Sequence, residues 1–180
     1  MSCIEPAPQN IMSNEYFDVI DRAGNIIGKA TREECHGDTS LAHRTVHVLV
    51  FNSNGELFLQ KRSMNKDIQP GKWDTSVGGH LDMGETFDQA VIREMKEELG
   101  IETPVQYLYD YWMCNEVETE YVHTYTCTYD GAIEFNAHEI DDGRFWSREE
   151  IEENVGKGIF TPNFEQEYQK YLLFVAANPT

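Results

Sequence analysis

Short runs of alternating hydrophobic and polar residues fill the first half of the chain, and turn-forming sequences separate them. The two clearest turns are Asp-Arg-Ala-Gly-Asn over residues 21–25 and Asn-Ser-Asn-Gly over residues 52–55. Runs of this kind on either side of a Gly- or Asn-containing turn are typical of β-hairpins. The strands predicted here are residues 16–20, 26–29, 45–51, 56–61 and 73–77, with polar loops over residues 31–44 and 63–72.

From Thr86 to Gly100 the pattern changes to a helical period. Four apolar residues recur at every fourth position, namely Phe87, Val91, Met95 and Leu99. Thr86 and Gln89 have the spacing of a capping box, in which each side chain binds the backbone N–H of the other. Gly100 is a suitable residue to end the helix. The pattern therefore predicts a helix with one buried stripe, running to Leu99.

The second half of the chain predicts more strands and two further helices. Strands are predicted over residues 105–113, 121–129 and 144–146. Ser147 to Glu150 has the form of a second capping box, and Thr161-Pro162 opens a last helix to about Ala177. With no internal repeat or linker, we expect one α/β domain over residues 15–180, a mixed sheet between helices. Residues 1–14 are predicted to be a flexible arm.

Composition restricts the partners of this domain. The chain has 180 residues, of which 40% are hydrophobic and 12% aromatic, as in a globular protein. Its net charge of −18 argues against nucleic acid or an anionic membrane as a partner. The four cysteines have no CxxC spacing, and no signal peptide or transmembrane run is present. We therefore expect a soluble cytoplasmic protein with reduced thiols.

The acidic end of the predicted helix is the first candidate for chemistry. Glu94, Glu97 and Glu98 stand at i, i+3 and i+4, so their carboxylates share one flank of the helix. Carboxylates this close repel one another unless a cation lies among them, and oxygen ligands suit Mg²⁺ or Mn²⁺. Arg93 reaches Glu97 at i+4, where it would order the cluster rather than touch a substrate.

The segment from Gly79 to Ile101 resembles the signature of the Nudix hydrolases. It has Gly, five residues, Glu, seven residues, and then Arg-Glu-hydrophobe-any-Glu-Glu-any-Gly-hydrophobe. The resemblance implies the Nudix fold and a small diphosphate-containing substrate. It also implies that Glu94, Glu97, Glu98 and the Gly79 carbonyl bind the metal. By the resemblance Glu98 is the best candidate for the general base, and Glu118 or Glu120 are the alternatives. Homodimers are frequent among Nudix proteins, but the sequence leaves the oligomeric state and the substrate group open.

Residues from about 36 to 165 also resemble the type I isopentenyl diphosphate isomerases and their hydrolase-like relatives. The isomerases bind one metal ion with three histidines and two glutamates, which match His36, His43, His80, Glu118 and Glu120 here. This resemblance implies a second site, for Mn²⁺, Zn²⁺ or Fe²⁺. It further implies that Arg62 and Lys66 bind the diphosphate. His47, His123 and His138 match none of these ligands and are interpreted as ordinary surface or hydrogen-bonded residues.

Two departures from the isomerases decide between hydrolysis and isomerisation. Gly78 stands where the isomerases have their catalytic cysteine, and Asn163 stands where they have a tryptophan that stabilises the carbocation. The isomerases also lack the full carboxylate set of the Nudix helix, which this chain has. The sequence therefore predicts a hydrolase. The alternatives are an isomerase-like enzyme without the cysteine, and a non-catalytic sensor, which usually shows eroded acids and a fused DNA-binding domain.

Overall fold

The computed structural model describes residues 15–66 and 68–179, so the arm predicted over residues 1–14 lies outside the described residues. The strands are β1 (Tyr16–Ile20), β2 (Ile26–Thr31), β3 (His43–Phe51), β4 (Leu57–Arg62), β5 (Trp73–Asp74), β6 (Val77–His80), β7 (Gln106–Cys114), β8 (Thr119–Thr128) and β9 (Ile140–Trp146). The helices are α1 (Arg32–Cys35), α2 (Phe87–Leu99), α3 (Arg148–Asn154) and α4 (Pro162–Ala177).

The strands form two sheets. β1 and β2 pair with each other as an antiparallel hairpin. The other seven strands form a sheet in the order β5-β4-β3-β8-β7, with β6 paired to β3 and β9 to β4. β3 and β8 run parallel while the remaining pairs are antiparallel, which confirms the predicted mixed sheet. Their register places His43 opposite Glu120.

Helices cover both faces of the large sheet, as predicted. Side chains alternate between the faces along β3, because successive strand residues point in opposite directions. Val46, Val48 and Val50 pack with the buried stripe of α2, whereas Leu49 packs with Ile151 of α3 and residues of α4. His43, Thr45 and His47 share the face of Leu49, so β3 presents polar side chains on the α4 side of the sheet.

Helix α2 has the predicted ends and buried stripe. The Thr86 side chain accepts from the Gln89 backbone N–H, and the Gln89 side chain accepts from the Thr86 N–H. Gly100 ends the helix with φ of 64°, a left-handed conformation that glycine adopts without steric cost. Val91, Met95 and Leu99 are buried, and Phe87 packs at the border of the core.

The prediction of a loop over residues 31–44 was wrong in part, because this segment contains the helix α1. Thr31 caps this single turn by accepting from the Glu34 backbone N–H, while the Glu34 carboxylate accepts from the Thr31 N–H. The capping box at Thr31 and Glu34 is visible in the sequence, but no apolar period follows it. The turn ends at His36, and β3 then begins at His43 rather than Thr45.

The single strand predicted over residues 73–77 is two strands in the structure. β5 pairs with β4 and β6 pairs with β3, because β3 and β4 diverge after their turn. The Ser76 hydroxyl lies in this gap, where it donates to the Phe58 carbonyl and accepts from the Val50 N–H at 2.9 Å. A buried hydroxyl therefore replaces ladder hydrogen bonds at this position.

The last strand is longer than predicted, since β9 begins at Ile140 rather than Arg144. Its first residues include Asp141 and Asp142, which are exposed, so this part of the strand shows no hydrophobic pattern in the sequence.

Cys35, Cys114 and Cys127 are free thiols. Within the described ranges, no helix has the length and apolar character needed to cross a membrane.

Candidate active site

A pocket of about 810 Å³ opens beside the carboxylate flank of α2. It is bounded by β3, β6 and β8 on the α4 side of the sheet, by α1 and by the first residues of α4. Eleven of the site residues predicted from the sequence line it, namely His36, Arg62, Lys66, Gly79, His80, Arg93, Glu94, Glu97, Glu98, Glu118 and Glu120. His43 lies immediately behind this surface and is fully buried.

The three carboxylates of α2 differ in exposure. Glu94 and Glu98 are buried, whereas the Glu97 side chain is 58% exposed. Gly79 of β6 lies against Glu94 so closely that a Cβ added there would be 2.0 Å from the Glu94 Cδ. Any larger residue at position 79 would therefore displace this carboxylate.

Arg93 orders the carboxylates and the loop before α2. Its Nε and Nη2 donate to the two oxygens of Glu85 at 2.9 and 2.8 Å, a bidentate pair. Nη1 donates to Glu94 at 2.7 Å and to Glu97 at 3.2 Å, and Nη2 also donates to the His80 carbonyl at 3.0 Å. With these partners, Arg93 is engaged by the protein itself.

Glu98 is bound from two sides inside the pocket. Its Oε2 accepts from Gln60 Nε2 at 2.8 Å and from the Gly78 N–H at 3.3 Å. Burial and the neighbouring Glu94 raise the pKa of Glu98 to about 8, and burial also raises the pKa of Glu94. A divalent cation among these groups would reverse the effect, because an adjacent positive charge favours the ionised carboxylate. The donor set therefore suits a hard divalent cation.

His36, His43, His80 and Glu118 form a second cluster next to the first. Their ligand atoms all lie within 4.8 Å of one another, close to the roughly 4 Å that separates opposite ligands of one ion. The rings of His43 and His80 have centroids 5.0 Å apart. His36 Nε2, His43 Nε2 and Glu118 Oε2 are buried without a hydrogen bond of suitable geometry among the described residues, although His36 Nε2 lies 3.0 Å from Glu118 Oε2. Buried imidazole nitrogens and a carboxylate oxygen that converge in this way suit a bound transition metal.

Glu120 lies at the edge of this cluster. Its Oε1 accepts from the Thr45 hydroxyl at 2.6 Å and lies 3.3 Å from His80 Nε2 and 3.7 Å from His43 Nε2. Burial opposes its ionisation, but the contact with His80 together with the nearby His43 and His47 outweighs burial and lowers the pKa of Glu120 to about 2. Burial and the charge of His80 lower the pKa of His43 to about 4, which keeps this imidazole in the neutral form that binds metals.

The β1–β2 hairpin covers the His/Glu cluster. The Phe17 ring stacks on His43 and His80, with centroids 5.1 and 4.6 Å away. The next residue, Asp18, accepts from Arg44 Nη2 at 2.7 Å and from the Gly84 N–H at 2.8 Å. One carboxylate thus joins the hairpin to β3 and to the loop before α2.

Arg62 and Lys66 line the pocket, and each is already paired with a carboxylate. Arg62 Nη1 donates to Asp74 at 3.3 Å and Nε donates to the Ile68 carbonyl at 3.0 Å. Lys66 Nζ donates to Glu139 at 2.7 Å. An incoming phosphate would have to share or replace these carboxylates.

Sequence reasoning missed several residues of the pocket, above all Gln60, Glu139 and His47, and also Glu167, which contacts His47 from outside the pocket. His47 is buried and hydrogen-bonded, one of the two roles expected for it, and its place on the same strand face as the predicted ligand His43 was the signal that could have assigned it to the pocket. Glu167 gave no such signal, because it is 120 positions from His47 in the chain. His123 stacks on Phe87 away from the pocket and His138 is exposed.

Comparisons with known proteins agree with this geometry. Residues 41–164 match the NUDIX domain family. Nudix hydrolase 3 of Arabidopsis thaliana is 42% identical over 95 residues, which are 52% of this chain but only 12% of that protein. An isopentenyl-diphosphate Delta-isomerase of Citrobacter koseri is 32% identical over 143 residues, covering 76% of this chain and 78% of the isomerase.

The fold is also that of solved Nudix-like structures. The crystal structure of DR0079 from Deinococcus radiodurans superimposes with a TM-score of 0.75 at 24% sequence identity, covering 87% of this chain and 98% of that one. At that identity the likeness concerns the fold alone. From the family match and the relatives together, the chain belongs to the Nudix family, in a branch that resembles the type I isopentenyl-diphosphate isomerases.

Proposed function

We propose that this protein is a metal-dependent hydrolase that cleaves a diphosphate linkage in a small cytoplasmic molecule. The observation that carries the proposal is the pair of buried carboxylates Glu94 and Glu98, which face a large pocket beside Glu97. Burying two like charges together is costly unless a cation joins them. Glu94, Glu97, Glu98 and the Gly79 carbonyl would bind Mg²⁺ or Mn²⁺.

Each residue of this set has a separate part in the reaction. A divalent ion bound there would offset the charge of the diphosphate and lower the pKa of a water molecule. Arg93 keeps Glu94 and Glu97 in place, and Arg62 and Lys66 bind the phosphate oxygens. Glu98 takes the proton from the attacking water, since Gln60 and the Gly78 N–H orient its carboxylate in the pocket. The reaction releases a phosphate or monophosphate and the remainder of the substrate.

The second cluster is proposed to bind one Mn²⁺, Zn²⁺ or Fe²⁺ ion through His36, His43, His80, Glu118 and Glu120. Its convergent, buried nitrogen and oxygen atoms support this assignment. Phe17 contacts two of these imidazoles, so the hairpin takes part in the site. We therefore treat residues 15–180 as one functional domain.

The structure around Gly78, where the isomerases have their catalytic cysteine, does not favour the isomerase-like alternative. A Cβ at Gly78 would lie 3.3 and 3.4 Å from two atoms of the His47 ring, so His47 takes the space into which a cysteine side chain would extend. Asn163 lines the pocket where the isomerases have a tryptophan, and an amide cannot stabilise a carbocation as an aromatic face does.

A release assay over a panel of diphosphates tests the proposed function. The panel contains nucleoside-diphosphate-linked compounds and prenyl diphosphates, each incubated with Mg²⁺ and with Mn²⁺. We expect metal-dependent release of phosphate-containing products from at least one class, abolished by EDTA and restored by added metal. The absence of release from every compound with either metal would contradict the proposal.

A further inference from the structure

His47 lies on the floor of the active-site pocket, at the position where β3 pairs with Gly78 of β6. Because Gly78 has no side chain, the Nε2–Cδ2 edge of the His47 ring faces its Cα. A Cβ added at Gly78 would lie 3.4 Å from Nε2 and 3.3 Å from Cδ2. The imidazole therefore occupies pocket space that a side chain at position 78 would otherwise fill.

Glu167 of α4 binds the opposite edge of the ring. This carboxylate is fully buried, with Oε2 2.9 Å from His47 Nδ1 and Oε1 accepting from the Thr124 hydroxyl at 2.9 Å. A carboxylate in contact with Nδ1 requires a proton on that nitrogen. With both oxygens engaged, Glu167 fixes the orientation of the imidazole before a ligand binds.

The remaining polar atom of this pair is His47 Nε2, which has no hydrogen-bond partner among the residues described. Burial opposes the charged form of the ring, but the Glu167 carboxylate outweighs burial and raises the pKa of His47 to about 9. Nε2 then carries a proton at neutral pH. The nearby carboxylates have other partners, since Glu120 accepts from Thr45 and Asp74 accepts from Thr161 and Arg62.

We propose that His47 is a substrate-binding residue, whose Nε2–H donates to an anionic phosphate oxygen, and that Glu167 is the residue that positions it. The inference rests on the proposed function, which places a diphosphate in this pocket. A charged donor suits an anionic oxygen because charge-assisted hydrogen bonds are the strongest kind. His47 would also add a positive charge for the phosphate, because the Arg62 and Lys66 side chains in this pocket are already paired with Asp74 and Glu139.

Binding of a non-hydrolysable diphosphate tests the proposal. Methylenediphosphonate is titrated calorimetrically into the protein in the presence of Mg²⁺. His47→Gln removes the charge, and Gly78→Ala places a methyl group over Nε2 while leaving the His47–Glu167 pair intact. We expect each substitution to raise Kd by about 10- to 100-fold, the loss that one hydrogen bond to a charged group produces.

Two variants serve as matched controls. Gly28→Ala adds a methyl group where no atom lies within 4 Å, and His123→Gln removes an imidazole that stacks on Phe87 outside the pocket. Both should bind methylenediphosphonate with the wild-type Kd. Gly78→Ala also keeps the test valid should His47→Gln fold poorly, because its new contacts of 3.3 Å or more need only small shifts.

Glu167→Gln tests the positioning role with a readout that packing alone would not move. The ring nitrogen chemical shifts of His47 should report a protonated imidazole in the wild type and a neutral one in Glu167→Gln. Kd should rise in parallel with this loss of charge. A Kd equal to that of the wild type, with the imidazole neutral, would contradict the role assigned to Glu167.

The outcomes separate this inference from the proposed function. If the wild type binds methylenediphosphonate and both His47→Gln and Gly78→Ala bind it equally well, His47 is a structural residue and the inference alone fails. If His47→Gln only lowers the melting temperature without changing Kd, the same conclusion follows. If the wild type does not bind methylenediphosphonate at all, the inference fails, and the release assay decides separately whether the proposed function also fails.

Discussion

At the scale of single residues, the structure distinguishes positions that the sequence could predict from those it could not. Helical spacing alone places Glu94, Glu97 and Glu98 on one flank, so their convergence was predictable. Strand alternation in the same way relates His43, Thr45 and His47. Glu167 was not predictable, because its contact with His47 depends on how α4 docks on the sheet rather than on any local pattern.

The carboxylates of α2 give the most direct prediction at this scale. Glu97→Gln and Glu98→Gln should each lower kcat by more than about 100-fold on any substrate that the release assay identifies, because each removes charge stabilisation made mainly in the transition state. Kinetics and circular dichroism measure the effect and check the fold. Glu102→Gln, an exposed residue just after the helix, is the matched control and should retain wild-type kcat. Near-wild-type turnover in both site variants would exclude the mechanism.

The His/Glu cluster predicts metal content. Protein purified in Mg²⁺ buffers should retain about one Mn, Fe or Zn ion per chain, because imidazole nitrogen prefers softer ions than Mg²⁺. His36→Gln, at the pocket side of the cluster, should lose most of this metal in elemental analysis. His138→Gln, an exposed histidine elsewhere, should lose none. Equal metal content in His36→Gln and the wild type would show that the ion is bound elsewhere.

At the scale of elements, the short helix α1 determines where His36 lies and so completes the His/Glu cluster. The predicted loop over residues 31–44 gave His36 no fixed path, whereas the capped turn α1 ends at His36 and directs it toward Glu118, 3.0 Å away. A single turn has too few residues to show a hydrophobic period, so periodicity could not reveal it. The long helix α2, with its stripe and two end signals, was predicted to its last residue.

The hairpin β1–β2 gives a prediction for an element. Phe17→Ala should lower the free energy of unfolding by about 3 to 5 kcal/mol, since Phe17 is buried and a large cavity would remain. Because the ring contacts His43 and His80, the variant should also bind less transition metal. Urea unfolding and elemental analysis measure the two effects. Ile27→Ala, on the exposed side of the same hairpin, should change neither. Stability lost without any loss of metal would limit the hairpin to packing.

At the scale of the whole molecule, the mixed sheet between helices was predictable and the splitting of its strands was not. Hydrophobic runs and turn residues indicated nearly every strand, because each run buries apolar side chains. Ser76 divides β5 from β6 through two hydrogen bonds to other strands, and such long-range bonds leave no mark in a local pattern. The acidic start of β9 was missed for a similar reason, since pairing with β4 rather than burial defines it.

The residues at positions 78 and 163 of the pocket predict that this protein does not catalyse the isomerase reaction. The wild-type protein should not convert isopentenyl diphosphate to its allylic isomer at an enzymatic rate, because Gly78 and Asn163 replace the groups that would move the proton and stabilise the cation. Product analysis by mass spectrometry after incubation with Mg²⁺ or Mn²⁺ measures this. Steady formation of dimethylallyl diphosphate, abolished by Glu120→Gln, would instead establish the isomerase-like alternative.

The parallel pairing of β3 with β8 has a consequence for how this protein is synthesised. Thr45 and Glu120 are in contact although they are 75 positions apart in the chain, so the centre of the sheet cannot close until β8 has left the ribosome. Until then the backbone edge of β3 that pairs with β8 is open, and contacts this distant in sequence form slowly. Nascent chains stalled before residue 119 should therefore bind chaperones that recognise extended apolar segments, and chains released after β9 should not.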